Sequence, residues 1–165
     1  MWSSRSGSRR SAFMVPVAVV ALLVMLPSAA WSAAPTVRLR SRRGEGTSTV
    51  AVRFSSRVPI GVYMAQVVFD PLQVRLEAID GGTTPEFSGP PLASPGAFAS
   101  GTVKFGAFQA SRLDGPTKKL SVATLTFRSL QPQGRARVTV NIVTFADTGA
   151  AEYSLRSRRA TLRLR

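Results

Sequence analysis

Eight carboxylates, three lysines and two tyrosines are the side chains available for proton transfer in this 165-residue sequence, which contains no histidine and no cysteine. Without histidine there is no Ser-His-Asp triad, no imidazole acid or base and none of the usual zinc sites. Without cysteine there are no disulfides, thiolate ligands or thiolate nucleophiles. Carboxylate chemistry remains. Glu77 with Asp80, and Asp147 with Glu152, have the residue types of a glycosidase acid and base. Nothing in the spacing places either pair across a cleft, and both fall where the chain turns, at Asp80-Gly81-Gly82 and Asp147-Thr148-Gly149. A calcium site gathers about six oxygens, and these acids are too scattered to supply them. Asp70, ahead of Pro71, reads as an acceptor for turn backbone. Gly81-Gly82 lacks phosphate-loop spacing. The expectation is a chain with no catalytic residues, no metal and no cofactor, one that binds rather than reacts.

The elements that would present a binding surface follow period two, the alternation of half-buried strands. Val37 and Leu39 alternate with Arg38 and Arg40; Val50, Val52 and Phe54 share one face against Ala51 and Arg53. Ile60 to Phe69 (IGVYMAQVVF) runs until Asp70-Pro71, because proline cannot continue a ladder and restricts its predecessor. Val74 to Ile79, Thr102 to Gln109, Leu120 to Phe127, Ala136 to Phe145 and Ala160 to Arg165 read as further strands. Gly81 to Gly101, with four prolines and no basic residue, reads as a long irregular surface loop. Ser111 to Lys119 reads as a turn. About eight or nine strands without a helical period predict an all-β antiparallel sandwich with jelly-roll topology, in one domain.

Residues 1–32 carry a different pattern. Arg5, Arg9 and Arg10 precede the uncharged run Ala12 to Pro27, and small residues follow from Ser28 to Ala34. A basic start, an apolar stretch and a small-residue exit make a secretory signal peptide. Cleavage after Ser32 or Ala30 is expected, leaving a domain over 33–165 that is secreted, or held in the periplasm or cell envelope. Left uncleaved, the run Ser11 to Val37 is long enough to anchor the chain, since about 20 apolar residues span a bilayer. Pro16 and the Ser/Ala-rich exit favour cleavage. The net charge is +14; without the three early arginines, 19 basic residues stand against 8 acidic, a balance of +11. Nearly all of it is arginine. Such charge attracts anionic polymers without specifying one, and no specific nucleic-acid partner follows from it. The first and last strands both read Arg-Leu-Arg, and charged edge residues discourage edge-to-edge aggregation.

The order of features resembles that of cohesin domains over about residues 36–165. The carriers are Phe69-Asp70-Pro71 after a strand with Leu72 following, and Asp80-Gly81-Gly82. They continue with Gly101-Thr102-Val103-Lys104-Phe105, the strand LSVATLTF (Leu120 to Phe127), and Phe145-Ala146-Asp147-Thr148-Gly149 near the end. The resemblance implies a nine-stranded jelly-roll sandwich, expected as a monomer, that binds a protein partner of the dockerin type through one sheet face. That face includes the strand before Asp-Pro. With Ala65, Val67 and Phe69 inward, Val62, Met64, Gln66 and Val68 point outward, joined by Lys104 and Phe108 on a later strand. Val62, Met64, Gln66, Lys104 and Phe108 are the expected partner-binding residues. A carbohydrate-binding module on the same architecture is the alternative, taking part in polysaccharide recognition or breakdown. It requires exposed aromatics, of which Tyr63, Tyr153 and Phe87 are the candidates; core positions for the tyrosines and loop packing for Phe87 are the competing roles. A second alternative is a cationic envelope protein that holds anionic polymers.

Overall fold

A computed structural model describes residues 34–109 and 114–164; the expected signal peptide over 1–32 and the tip of the turn at 110–113 lie outside the described residues. The domain comprises β1 (Thr36–Arg43), β2 (Thr47–Ser56), β3 (Ile60–Phe69), β4 (Val74–Gly81), β5 (Leu92–Ala93), β6 (Thr102–Phe108), β7 (Lys118–Ser129), β8 (Gly134–Asp147) and β9 (Arg158–Leu164). These form a four-stranded sheet in the order β1-β2-β7-β4 and a five-stranded sheet in the order β5-β6-β3-β8-β9. Every pairing is antiparallel. From β2 to β8 the chain changes sheet at each connection except β5–β6, which gives the jelly-roll crossing expected from the sequence.

Alternation in sequence becomes layering in space. Val50, Val52 and Phe54 of β2 face Tyr63, Ala65, Val67 and Phe69 of β3 across a buried core that also takes Leu125, Phe127, Val138 and Val140. Burying each large side chain stabilises the fold by roughly 1.5–3 kcal/mol, the main favourable term in a domain without cross-links. Aromatic rings interlock in tilted or edge-on pairs, Phe54 with Phe145 at 5.0 Å and with Tyr63 at 5.6 Å, and Phe69 with Phe127 at 5.4 Å. Such pairs add to area burial.

Four register shifts interrupt the ladders. One lies on β7, where Val52 pairs with Ala123 and Arg53 with Ser121, leaving Val122 as the extra residue. Its carbonyl accepts the Tyr63 hydroxyl at 3.1 Å from the opposite sheet. A buried carbonyl that leaves the ladder needs another donor, and the tyrosine supplies it. Burial pushes the Tyr63 phenol well above its ordinary pKa.

Two expectations are corrected in detail. The Gly81–Gly101 segment is only partly irregular: it holds the short 3-10 turns Pro85–Phe87 and Pro95–Ala97 and the two-residue strand β5. Phe87 plugs the core with 1% of its surface exposed. The turn expected over Ser111 to Lys119 ends earlier, because Lys118 and Lys119 already pair with Ser56 and Ser55 in β7.

Candidate functional site

The outer face of the larger sheet collects the exposed apolar side chains of four strands. On β3, Val62, Met64, Gln66 and Val68 point outward, as the inward burial of Tyr63, Ala65, Val67 and Phe69 requires. β6 lies beside it with Phe108 opposite Val62, Gly106 opposite Met64 and Lys104 opposite Gln66. Leu92 of β5 stands opposite Gly106 from the other side. On β8, Thr144 pairs with Met64 and Asn141 with Gln66. Phe108 is 63% exposed, Leu92 72%, Met64 43% and Val143 52%. All five residues expected to bind a partner therefore share one face, within one pairing register.

Leu92 and Val143 also belong to this face, although the alternation in sequence does not place them there, and Gly106 joins it between Lys104 and Phe108, as the alternation along β6 requires. Leu92 sits in a strand too short to show a period. Val143 is the extra residue of a bulge, since Met64 pairs with Thr144 and Ala65 with Ile142. Two adjacent apolar residues, Ile142 and Val143, are the trace it leaves in sequence. Gly106 leaves a notch between Leu92 and Met64, with Phe108 and Lys104 as its neighbours along β6. A Cβ there would lie 2.6 Å from the Tyr63 carbonyl oxygen, so only glycine fits.

Around the Gly106 notch the face offers one cation, Lys104, a carboxamide pair, Gln66 and Asn141, and apolar surface, while Arg137 and Arg159 lie farther along the same face toward β9. Such a face can make a desolvated contact with a partner. The carboxylates serve elsewhere. Glu77 pairs with Arg128, and Asp80 lies opposite Thr124 on the other sheet. Asp70 Oδ1 accepts the Leu72 N–H at 2.9 Å, as a turn acceptor should. Asp147 Oδ1 accepts the N–H groups of Gly149 (2.9 Å) and Ala151 (3.0 Å), while Oδ2 accepts the Tyr153 hydroxyl (2.9 Å). Partial desolvation pushes the Asp147 carboxyl up, but the donors of Ala151, Tyr153 and Gly149 outweigh it and hold the pKa below its ordinary value. The hydrogen bond to Asp147 raises the Tyr153 phenol. Among the described residues no group of three or more carboxylates is gathered as a metal site would need.

The candidate sugar-stacking aromatics do not form a stripe. Tyr63 and Phe87 are buried and Tyr153 is half-buried against the Asp147 turn.

No protein-family model and no curated protein matches the chain. Solved structures do. CaCohA2 from Clostridium acetobutylicum, in its complex with a variant of CaDoc0917, is similar at TM-score 0.62 and 15% identity, over 79% of this chain and 99% of that one. A non-cellulosomal cohesin from the hyperthermophilic archaeon Archaeoglobus fulgidus matches at TM-score 0.62 and 14% identity, over 81% and 92% of the two chains. The Coh-OlpA–Doc918 type I cohesin–dockerin complex from Clostridium thermocellum matches at 0.59 and 12%, over 76% and 96%. The chain has the cohesin fold, as its order of motifs implied.

Proposed function

We propose that this chain is a non-catalytic docking module that holds a dockerin-like protein on the outer face of its larger sheet. The observation that carries the proposal is the contiguous exposed surface of Met64, Phe108, Leu92 and Val143 around the Gly106 notch, on a fold shared with cohesins solved in complex with dockerins. Met64 and Phe108 are the anchors, since aromatic and flexible apolar side chains at a patch centre carry most of an interface's energy. Val62 supports Phe108 from the facing strand. Gln66 and Lys104 give the rim its polar contacts and direction. With an exported N-terminus, the module would act as an adhesion or scaffold element in the cell envelope or outside the cell.

The experiment is capture of partners from envelope and secreted fractions of the source organism, at low salt and at about 0.5 M salt, where exposed charge pairs are screened. The wild-type chain should retain one protein at both salts. Met64→Glu with Phe108→Glu should abolish retention while moving the melting temperature by no more than about 2 °C, because both side chains are exposed and neither belongs to the core. Retention of the same protein by the double variant would dismiss this face.

A further inference from the structure

Positive charge is concentrated along the β1–β9 edge of the sandwich. β1 (TVRLRSRR) and β9 (RRATLRL) are the outer strands of the two sheets, and neither contains an acid. They lie side by side: the Arg158 Nε donates to the Val37 carbonyl at 3.0 Å. Further along, Arg43 of β1 and Arg163 of β9 line a cleft of about 640 Å³ together with Arg135, Gln133 and Gly134. No acidic side chain among the described residues lines it.

The pairing register sharpens the point. Arg135 stands directly opposite Arg163, and Arg38 directly opposite Arg53. Like charges in directly opposed positions destabilise a sheet, and among the described residues none of these arginines has a carboxylate partner. Shielding an edge from aggregation needs only a few charges; it does not call for pairs that repel. Repulsion of this kind is relieved by an anion placed between the guanidiniums.

We propose that the arginine seam along β1 and β9 is a second binding surface, one that docks a linear acidic polysaccharide through its carboxylates. Arg43, Arg135 and Arg163 grip one acidic group in the cleft. Arg38, Arg40 and Arg42, spaced about 6.6–6.8 Å apart along one side of β1, follow the chain beyond it. Guanidinium forks match carboxylates in a bidentate geometry. The seam's composition selects this occupant over other polyanions. β1, β9 and the adjoining first half of β8 carry no aromatic residue on which bases would stack. None of the exposed large apolar side chains lies on β1 or β9 to enter a bilayer. Arg135 and Arg163 lie on the outer face of the larger sheet at its β9 edge, beyond Asn141 and Thr139 from the patch of Met64 and Phe108. Separate substitutions, at Met64 with Phe108 and at the arginines, keep the two assignments distinguishable.

The test is titration of the full-length chain with polygalacturonate oligomers over a range of salt, with neutral dextran, duplex DNA and anionic vesicles as comparisons. Arg43→Gln, Arg135→Gln and Arg163→Gln together should weaken polygalacturonate binding by about tenfold or more and lower the salt slope by about 2–3. Arg57→Gln, Arg75→Gln and Arg156→Gln remove the same charge elsewhere and should change affinity less than about threefold. Circular dichroism and melting of both triple variants confirm folding. Equal losses in the two variants, absence of binding at low salt, or tighter binding to DNA or vesicles than to polygalacturonate would each overturn the proposal.

Discussion

Tyr63 shows how one polar atom can govern the packing of a core. Its hydroxyl is the donor for the carbonyl that the β7 bulge removes from the ladder. Tyr63→Phe keeps the ring contacts but leaves that carbonyl unsatisfied, which costs about 1–3 kcal/mol. A fall in melting temperature of roughly 4–10 °C should follow, and an unchanged melt would mean that the bond contributes nothing. Asp147 acts through pH. Its folded pKa lies below the ordinary carboxylate value, so its contribution to stability is fully present above about pH 4 and is lost as pH falls through the folded value. Asp147→Asn should therefore reduce the loss of melting temperature between about pH 5 and pH 3. An identical acid limb in both proteins would show that the turn gains nothing from the charge. Both roles escape sequence reading for the same reason: an acceptor that arises from a bulge or turn has no period. Asp70 is legible because proline follows it.

The strands are readable wherever one face is buried. Val50, Val52 and Phe54, or Ala65, Val67 and Phe69, leave alternating traces because the core demands them. Where the core does not, the trace fades. β5 is two residues long and owes its place to pairing with Gly106 and Phe105, not to its own pattern. β9 begins at Arg158, two residues before its apolar alternation, because the backbone ladder with Val140 does not depend on side-chain type. The proline-rich connection reads as surface in sequence, yet it delivers Phe87 to the core. Gly81 and Gly82 open that path, since a Cβ on Gly82 would collide with the Ser121 backbone and one on Gly81 with that of Ser88. Gly82→Ala should destabilise the domain by about 1–3 kcal/mol, seen as an earlier denaturant midpoint. A midpoint equal to wild type would show that the connection has slack.

For the molecule as a whole, strand order with aromatic-Asp-Pro punctuation points to the cohesin fold. Charge distribution is not legible, because register decides which arginines face one another. Arg38 against Arg53 and Arg135 against Arg163 store repulsion that salt screens. Raising salt from about 20 to 300 mM should therefore raise the melting temperature, and a lowered one would mean that the cations are engaged in attractive pairs. The same two edge strands have a mechanical consequence. β1 and β9 run in the same direction, with Val37 beside Arg158 at one pole and Arg43 beside Arg163 at the other. The start of β1 and the end of β9 thus lie at opposite poles. Tension applied there loads the β1–β2 and β8–β9 ladders in shear, so their hydrogen bonds resist together instead of unzipping singly. Single-molecule stretching between these two points should meet higher rupture forces than stretching across the sheets.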